Sequence, residues 1–242
     1  MKGSTLFSIF MRSLTIQVSF NFRRMQNLGF AFALFPLIAE QRKDRKETEV
    51  FLARHLQMFN THPYLVSSVI GSVARIEEEA CAPESADDLK QALMGPYAAI
   101  GDSFFWGALR SFSSVGAVIM ALAGTLLAPF AFLLLYTPTH LWVRVKGFLE
   151  GYRYGRNGID FIRALDLPKE SVKFRYLTTI MIGFLAALAV DATGSSWNFT
   201  PEIADGAVRA VLLLVAFALV RRGISSVKIF YGMSLLCMVL SI

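Results

Sequence analysis

No formally charged residue occurs between Arg110 and Arg144. That interval exceeds the about 20 apolar residues a helix needs to cross a bilayer. Pro129 and the Thr137-Pro138 pair divide it, so it folds either as one long kinked helix or as two unequal segments. The rest of the composition agrees with a membrane setting. Only 17% of the 242 residues are charged and the mean hydropathy is +0.50, against about 25% charged in an ordinary soluble domain. The net charge of +6 is carried by Lys and Arg that flank the apolar runs. This is the arrangement of cytoplasmic loop charges. A nucleic-acid binder would show a basic stripe interleaved with exposed aromatics, and none is present.

Several chemistries are excluded early. Cys81 and Cys237 are too far apart in sequence to mark a disulfide framework or a zinc site. His55, His62 and His140 are too scattered for a metal centre, and no cofactor is implied. No phosphate-binding loop or serine–histidine–carboxylate set occurs, so the chain has no catalytic centre of its own. The first 20 residues lack the compact apolar core and small-residue cleavage site of a signal peptide. Leu6, Ile9, Phe10, Leu14 and Ile16 instead suit an amphipathic helix on the membrane surface, or an ordinary packed helix.

From Met25 to Arg110 polar clusters alternate with apolar segments and Gly/Pro breaks. Asn27 to Ala39 is apolar but too short to span, and Gly29 and Pro36 interrupt it, which predicts a half-helix or re-entrant element. Glu40 to Arg54 reads as a solvated helix. Pro63 predicts a new helix at or after that position. Glu77 to Lys90 reads as an acidic, water-exposed hinge. Gln91 to Arg110, broken by Gly95-Pro96 and Gly101-Asp102-Ser103, predicts a re-entrant hairpin with its freed amides facing a cavity. Beyond the uncharged run, Arg144 to Arg175 is basic and expected in the cytoplasm. Tyr176 to Val190 is a span, Asp191 to Asp205 an outer acidic loop, and Ala207 to Val220 and Ile229 to Ile242 further spans. The expected fold is an all-α, polytopic integral membrane protein with re-entrant or broken helices and an N-terminal amphipathic helix. It forms one unit over 1–242: an amphipathic segment at 1–24, a core at 25–110, and spans with a basic loop at 111–242.

The order of motifs in this chain resembles a known family. Met25-Gln26-Asn27-Leu28-Gly29-Phe30, Arg54-His55-Leu56 and Phe59-Asn60-Thr61-His62-Pro63-Tyr64 are followed by Glu77-Glu78-Glu79 and Leu93-Met94-Gly95-Pro96. Ile100-Gly101-Asp102-Ser103-Phe104-Phe105-Trp106-Gly107, Gly151-Tyr152-Arg153-Tyr154-Gly155 and Gly158-Ile159-Asp160 continue the series. Together they are similar to the IID component of the mannose/fructose/sorbose class of the bacterial phosphotransferase system. The resemblance implies a subunit of the inner membrane that pairs with a IIC subunit to bind and translocate a hexose. Soluble IIA and IIB phosphocarriers then act, IIB phosphorylating the sugar, and related complexes are trimers of IIC–IID pairs with an elevator-like movement.

Asn60, Asp102, His62, Glu78 and Asn21 are the candidate sugar-binding residues. Asn60 offers amide donors and an acceptor to adjacent hydroxyls, or alternatively caps the following helix. His62 can donate to a sugar or hold the turn. Asp102 is a carboxylate in an apolar setting, which calls for a role in the site or a structural partner such as Arg110. One of Glu77, Glu78 and Glu79 can face inward, although a charge run commonly forms a solvated face. Trp106 can stack on a pyranose ring or anchor an interface. Where the family commonly has Trp and Glu, this chain has Phe20 and Arg23, and it is shorter after Arg175. Those departures motivate a second reading: a scaffold or regulatory membrane subunit that keeps the fold without binding sugar.

Overall fold

The computed structural model describes residues 1–79 and 83–192, with 211, 214–215, 217–225, 227–229, 231–232 and 235 beyond them. The chain divides into two compact units, Met1–Leu185 and Ala186–Ile242. In the second, the described residues include helical backbone at 217–221 and 227–229 and a left-handed Gly223. The first is built of helices joined by turns. Its elements are α1 (Gly3–Ser13), α2 (Asn27–Gln41), α3 (Arg45–His55), α4 (Val66–Glu78), α5 (Pro83–Gly101), a π-helical stretch (Asp102–Leu109), α6 (Arg110–Leu122), α7 (Ala128–Tyr154), α8 (Ile159–Ala164) and α9 (Leu167–Ala192), which runs on past the boundary.

The core is built around α4. Every residue from Val66 to Ala74 is buried, including Ser67, Ser68 and Ser72. A helix enclosed on all sides has to offer small residues where neighbouring backbones come close. Here the Ser68–Ser72 pair and Gly71 meet Gly147 and Gly151 of α7. A Cβ on Gly71 would lie 2.3 Å from the Phe148 carbonyl oxygen, and one on Gly151 would lie 2.4 Å from that of Ser68. Gly147 is in contact with the Ser68 Cβ. The four-residue spacing of Gly147 and Gly151 places both on one face of α7. On the α1 side, the Ser13 and Ser67 hydroxyls are 3.1 Å apart, each able to donate to the other.

The N-terminal segment packs by the same rule. Ile9, Ser13 and Ile16 are buried, while Phe7 and Met11 are exposed. Gly29 at the start of α2 lies so close to Ile16 that a Cβ would stand 2.5 Å from its carbonyl oxygen. The segment expected to be a half-helix is a single 15-residue helix that retains Pro36 and buries Phe30, Ala33, Leu34 and Leu37. A left-handed Arg42 ends it. Asp44 and Glu47 then form a reciprocal capping box that starts α3.

The expected hairpin over Gln91–Arg110 is not formed. The chain continues from α5 through the π stretch into α6 as one helix, Ser85–Leu122. Pro96 lacks one donor, a loss a helix can absorb locally. At Gly-Asp-Ser the backbone widens into a π turn, which adds residues to a turn without reversing the chain. The reversal comes later, between Leu122 and Ala128. Gly124 has φ +77, and Pro129 sits in the first turn of α7, where its missing N–H has no intrahelical partner to lose. The uncharged run is therefore two unequal helical segments joined by an apolar turn. At 38 residues, Ser85–Leu122 is long and apolar enough to cross a membrane, the only such helix among the described residues. The connecting turn and the start of α7 expose Leu126, Leu127, Phe130, Leu133 and Leu134.

Between Glu77 and Lys90 the expected hinge is narrower than the sequence suggested, because α4 ends at Glu78 and α5 begins at Pro83. Cys81 and Cys237, most of the Asp191–Asp205 loop, half of the span at 207–220 and most of that at 229–242 lie outside the described residues.

A methyl group at Gly151 cannot be accommodated by a side-chain rotation, because its nearest neighbours are backbone atoms. Gly151→Ala should destabilise the protein by about 3 kcal/mol, lowering Tm by roughly 6–12 °C. Gly183→Ala, which meets nothing within 4 Å, should leave Tm unchanged or raise it slightly, since alanine favours the helix over glycine. Thermal unfolding of the two variants in one detergent checks the contrast.

Candidate functional site

Two polar turns support the site. The first, Asn21–Asn27, is held by its own amides: Asn21 Nδ2 donates to Asn27 Oδ1 at 2.8 Å, and the Arg24 N–H donates to Asn21 Oδ1 at 2.8 Å. The left-handed Met25 completes it. The second, 56–62, lies against the first. Asn27 Nδ2 and Arg24 both donate to the Leu56 carbonyl, and the Gln26 N–H donates to the Phe59 carbonyl. Gln26 contributes most. Its Nε2 donates to the Thr61 carbonyl at 2.8 Å, and its Oε1 accepts from the Thr61 N–H at 3.0 Å. The side chain thus substitutes for a neighbouring strand and satisfies a buried loop that has none.

These turns and the π stretch enclose a pocket of about 330 Å³ lined by Gln17, Phe20, Gln26, Asn60, Thr61, His62, Pro63, Ala98, Asp102 and Trp106. Three of the five predicted residues, Asn60, His62 and Asp102, therefore meet there, with Trp106. Ala98, Asp102 and Trp106 recur every four residues, one face of the long helix. Gly101 lets His62 approach it: a Cβ there would lie 2.3 Å from the imidazole Cβ and Cγ. The ring is further held at 5.2 Å from Phe105 and 4.7 Å from Trp106.

The pocket's polar groups are incompletely paired. His62 Nδ1 accepts from the Tyr64 N–H at 3.2 Å, while its Nε2 is buried without a hydrogen-bond partner. The nearest acidic oxygen, Asp102 Oδ1, is 4.0 Å away, beyond hydrogen-bond range. The Asp102 side chain is 55% exposed and forms no ion pair with Arg110 among the described residues. Asn60 does not cap α4, whose N-terminus has no side-chain cap. No Lys or Arg lines the pocket. The arrangement is a neutral-to-acidic cleft with amide, imidazole and carboxylate groups beside two aromatic faces.

The comparisons with known proteins agree with this architecture. The model of the PTS system mannose/fructose/sorbose family IID component matches residues 1–242, and the chain belongs to that family. It is 37% identical over 170 residues to the mannose-specific EIID component of Escherichia coli K12, covering 66% of this chain and 58% of that protein. The chain thus spans less than two thirds of those mannose-specific relatives. With the fructose permease IID component of Bacillus subtilis 168 it shares 28% identity over 249 residues, covering 94% and 90% of the two chains. Among solved structures it resembles a chain of the mannose transporter ManYZ complex with microcin E492, at 26% identity and a TM-score of 0.60, covering 99% and 96%. A second membrane-protein structure matches at 25% identity and a TM-score of 0.73, covering 98% and 96%.

The other two predicted residues lie elsewhere. Asn21 is consumed in its own turn. Glu78 accepts from the Tyr152 hydroxyl at 2.6 Å, pairs with the Met1 ammonium and lies near Arg75, linking α1, α4 and α7. Its neighbour Glu77 is the inward-facing member of the acidic cluster, bonded to Arg54 at 2.9 Å and His55 Nε2 at 3.0 Å. Gln26, Gln17 and Thr61 are the pocket residues that sequence reasoning left unassigned. Only the Met-Gln-Asn motif pointed at Gln26.

Burial holds the His55 pKa below its ordinary value, against the raising effect of Glu77. His55 is thus neutral, with Nε2–H donating to Glu77. Burial acts to raise the Glu77 pKa, but the His55 hydrogen bond and the positive charges of Arg54 and Lys43 outweigh it and hold the carboxyl low. Both groups bind fewer protons folded than unfolded. Their contribution to stability is present above about pH 6.5, the ordinary His value, and is lost as pH falls. Tm should therefore decline from pH 7.5 to 5.5, and His55→Gln, which keeps a neutral donor, should flatten the decline in the same melting series.

Proposed function

We propose that the chain is the membrane subunit of a mannose-class sugar permease. It pairs with a IIC subunit to bind and move a hexose, which a soluble IIB phosphorylates after IIA has supplied the phosphate. The observation that carries this reading is the pocket. Its volume is in the range of small-ligand sites. Asn60 and the buried Nε2 of His62, from one turn, and Asp102, from the long helix, meet in one cavity and lack full pairing within the protein. Adjacent sugar hydroxyls both donate and accept, and one seated between His62 and Asp102 would bridge their 4.0 Å gap. Phe20 and Trp106 offer apolar faces to the C–H side of a pyranose ring. An unpaired carboxylate with no lining cation disfavours a sugar phosphate and favours a neutral sugar, consistent with phosphorylation following release.

In this reading segments 1–24, 25–110 and 111–242 serve one multi-pass subunit of a bacterial inner membrane. The N-terminal helix lies along the membrane surface, and Arg144–Arg175 faces the cytoplasm. A trimer of IIC–IID pairs is the assembly. The scaffold reading without sugar binding has less support. Phe20 keeps an aromatic face on the pocket, and Arg23 is not among its lining residues.

In a reconstituted complex, Asn60→Ala and Asp102→Ala should each reduce sugar uptake and phosphorylation at least about tenfold, the effect of losing one or two hydrogen bonds. The IIC–IID pair should still be recovered intact. Unchanged uptake in both variants would remove the two residues from the site. Absence of saturable hexose binding by the wild-type pair would favour the scaffold reading.

A further inference from the structure

Arg144 is the first charged residue after the uncharged run, and among the described residues no carboxylate pairs with it. The guanidinium lies 4.5 Å over the ring of Tyr64. That ring is stacked on His140 at 4.4 Å, and its hydroxyl accepts from Tyr136 at 3.1 Å. Arg144 Nε and His140 Nδ1 are both buried without a hydrogen-bond partner. The other cation acting on this cluster is Arg110, at the opposite end of the uncharged run. Glu150, on the same helix, pairs with Lys146, Glu77 pairs with Arg54 and His55, and Asp102, beside His62, forms no ion pair with Arg144 among the described residues.

An arginine at a membrane boundary ordinarily snorkels outward, carrying its charge to water and headgroups. Arg144 is half-buried and does so only in part. It lies over Tyr64, the same ring on which His140, one helical turn back toward the uncharged run, is stacked. The Nε is enclosed rather than wet. The cation–π contact with Tyr64 supplies part of the missing counter-charge, but tyrosine is neutral and does not balance a full charge. A guanidinium fits a carboxylate through paired, parallel N–H bonds.

We infer that Arg144 is the receptor for a carboxylate donated by the second membrane subunit, closing an ion pair across the subunit interface. This rests on the proposed pairing with a IIC subunit and assigns one contact within it. Tyr64 touches both His62 and Arg144. The pair would therefore seat the partner one residue layer from the pocket.

The test is co-purification of the full-length chain with its IIC subunit, comparing wild type, Arg144→Gln, Arg144→Lys and Arg144→Glu. Arg144→Gln is expected to weaken association roughly tenfold or more, with Lys intermediate and Glu weakest. The Tm of the full chain alone should fall by no more than about 1–4 °C in Arg144→Gln, since the cation–π contact with Tyr64 is lost but no ion pair among the described residues. Arg144→Glu should regain association with one of a set of IIC variants, each with a single membrane-segment Asp or Glu changed to Arg. Wild-type association of Arg144→Gln overturns the inference and leaves the pairing intact. A larger fall in the Tm of the chain alone also overturns it, by making the cation structural. So does loss of bound phosphatidylglycerol, seen by native mass spectrometry, with pairing unaffected, since a lipid phosphate would then be the counter-charge. Failure of the wild-type chains to associate overturns the pairing itself.

Discussion

The close contact of α4 with α7 is the constraint on which the rest of the first unit depends. Two helix backbones approach until Gly71 and Gly151 have no room for a β-carbon. In a lipid environment such contact replaces the hydrophobic effect as the source of cohesion, because apolar side chains gain little by leaving lipid for protein. With α4 held in this way, the turn before it and the acid cluster at its end are both fixed in place. The first carries Asn60, Thr61 and His62, and the second anchors α3 and the N-terminus.

The same economy of small residues recurs at the pocket. Gly101 admits His62 against the long helix, as Gly29 admits the Ile16 backbone against α2. Polar groups are handled in two ways. Those that build the turns, such as Gln26 and Asn27, are fully bonded. Asn60, His62 and Asp102 keep bonding capacity in hand. That contrast divides the turn-building amides from the cleft-lining groups, and the buried Thr61 hydroxyl, which like His62 Nε2 has no partner, falls with the latter.

Much of the candidate site was legible in the sequence, and its failures have physical causes. Asn60, His62 and Asp102 were recognisable because polar residues beside Gly and Pro in apolar surroundings need a reason to be there. Glu78 was misplaced because a run of three glutamates gives no sign of which one faces inward. Helix rotation decided that Glu77 is buried and Glu78 meets Tyr152. Gln26 went unassigned because a glutamine that imitates a peptide bond looks like any other glutamine until its loop partner is known. At Gly95-Pro96 and Gly101-Asp102-Ser103 local chemistry indicated breaks. A proline's lost donor and a π turn's extra residue are both absorbed within one continuous helix.

The sequence by itself determined the helical class, the boundary of the uncharged run, the reversal near Pro129 as one of two outcomes, and the family, through motifs in a fixed order. The first three follow from composition and local backbone preference, which neighbouring residues carry with them, and the family from the resemblance of its ordered motifs. Only the tertiary structure decided which polar residues share a cavity, which glutamate turns inward, and that Arg144 lies over Tyr64 with no acid paired to it among the described residues. Each of those depends on helix rotation and on contacts between residues distant in the chain. The glycine-to-backbone packing of α4 and α7 sets that geometry, and it becomes visible only when the two helices are brought together.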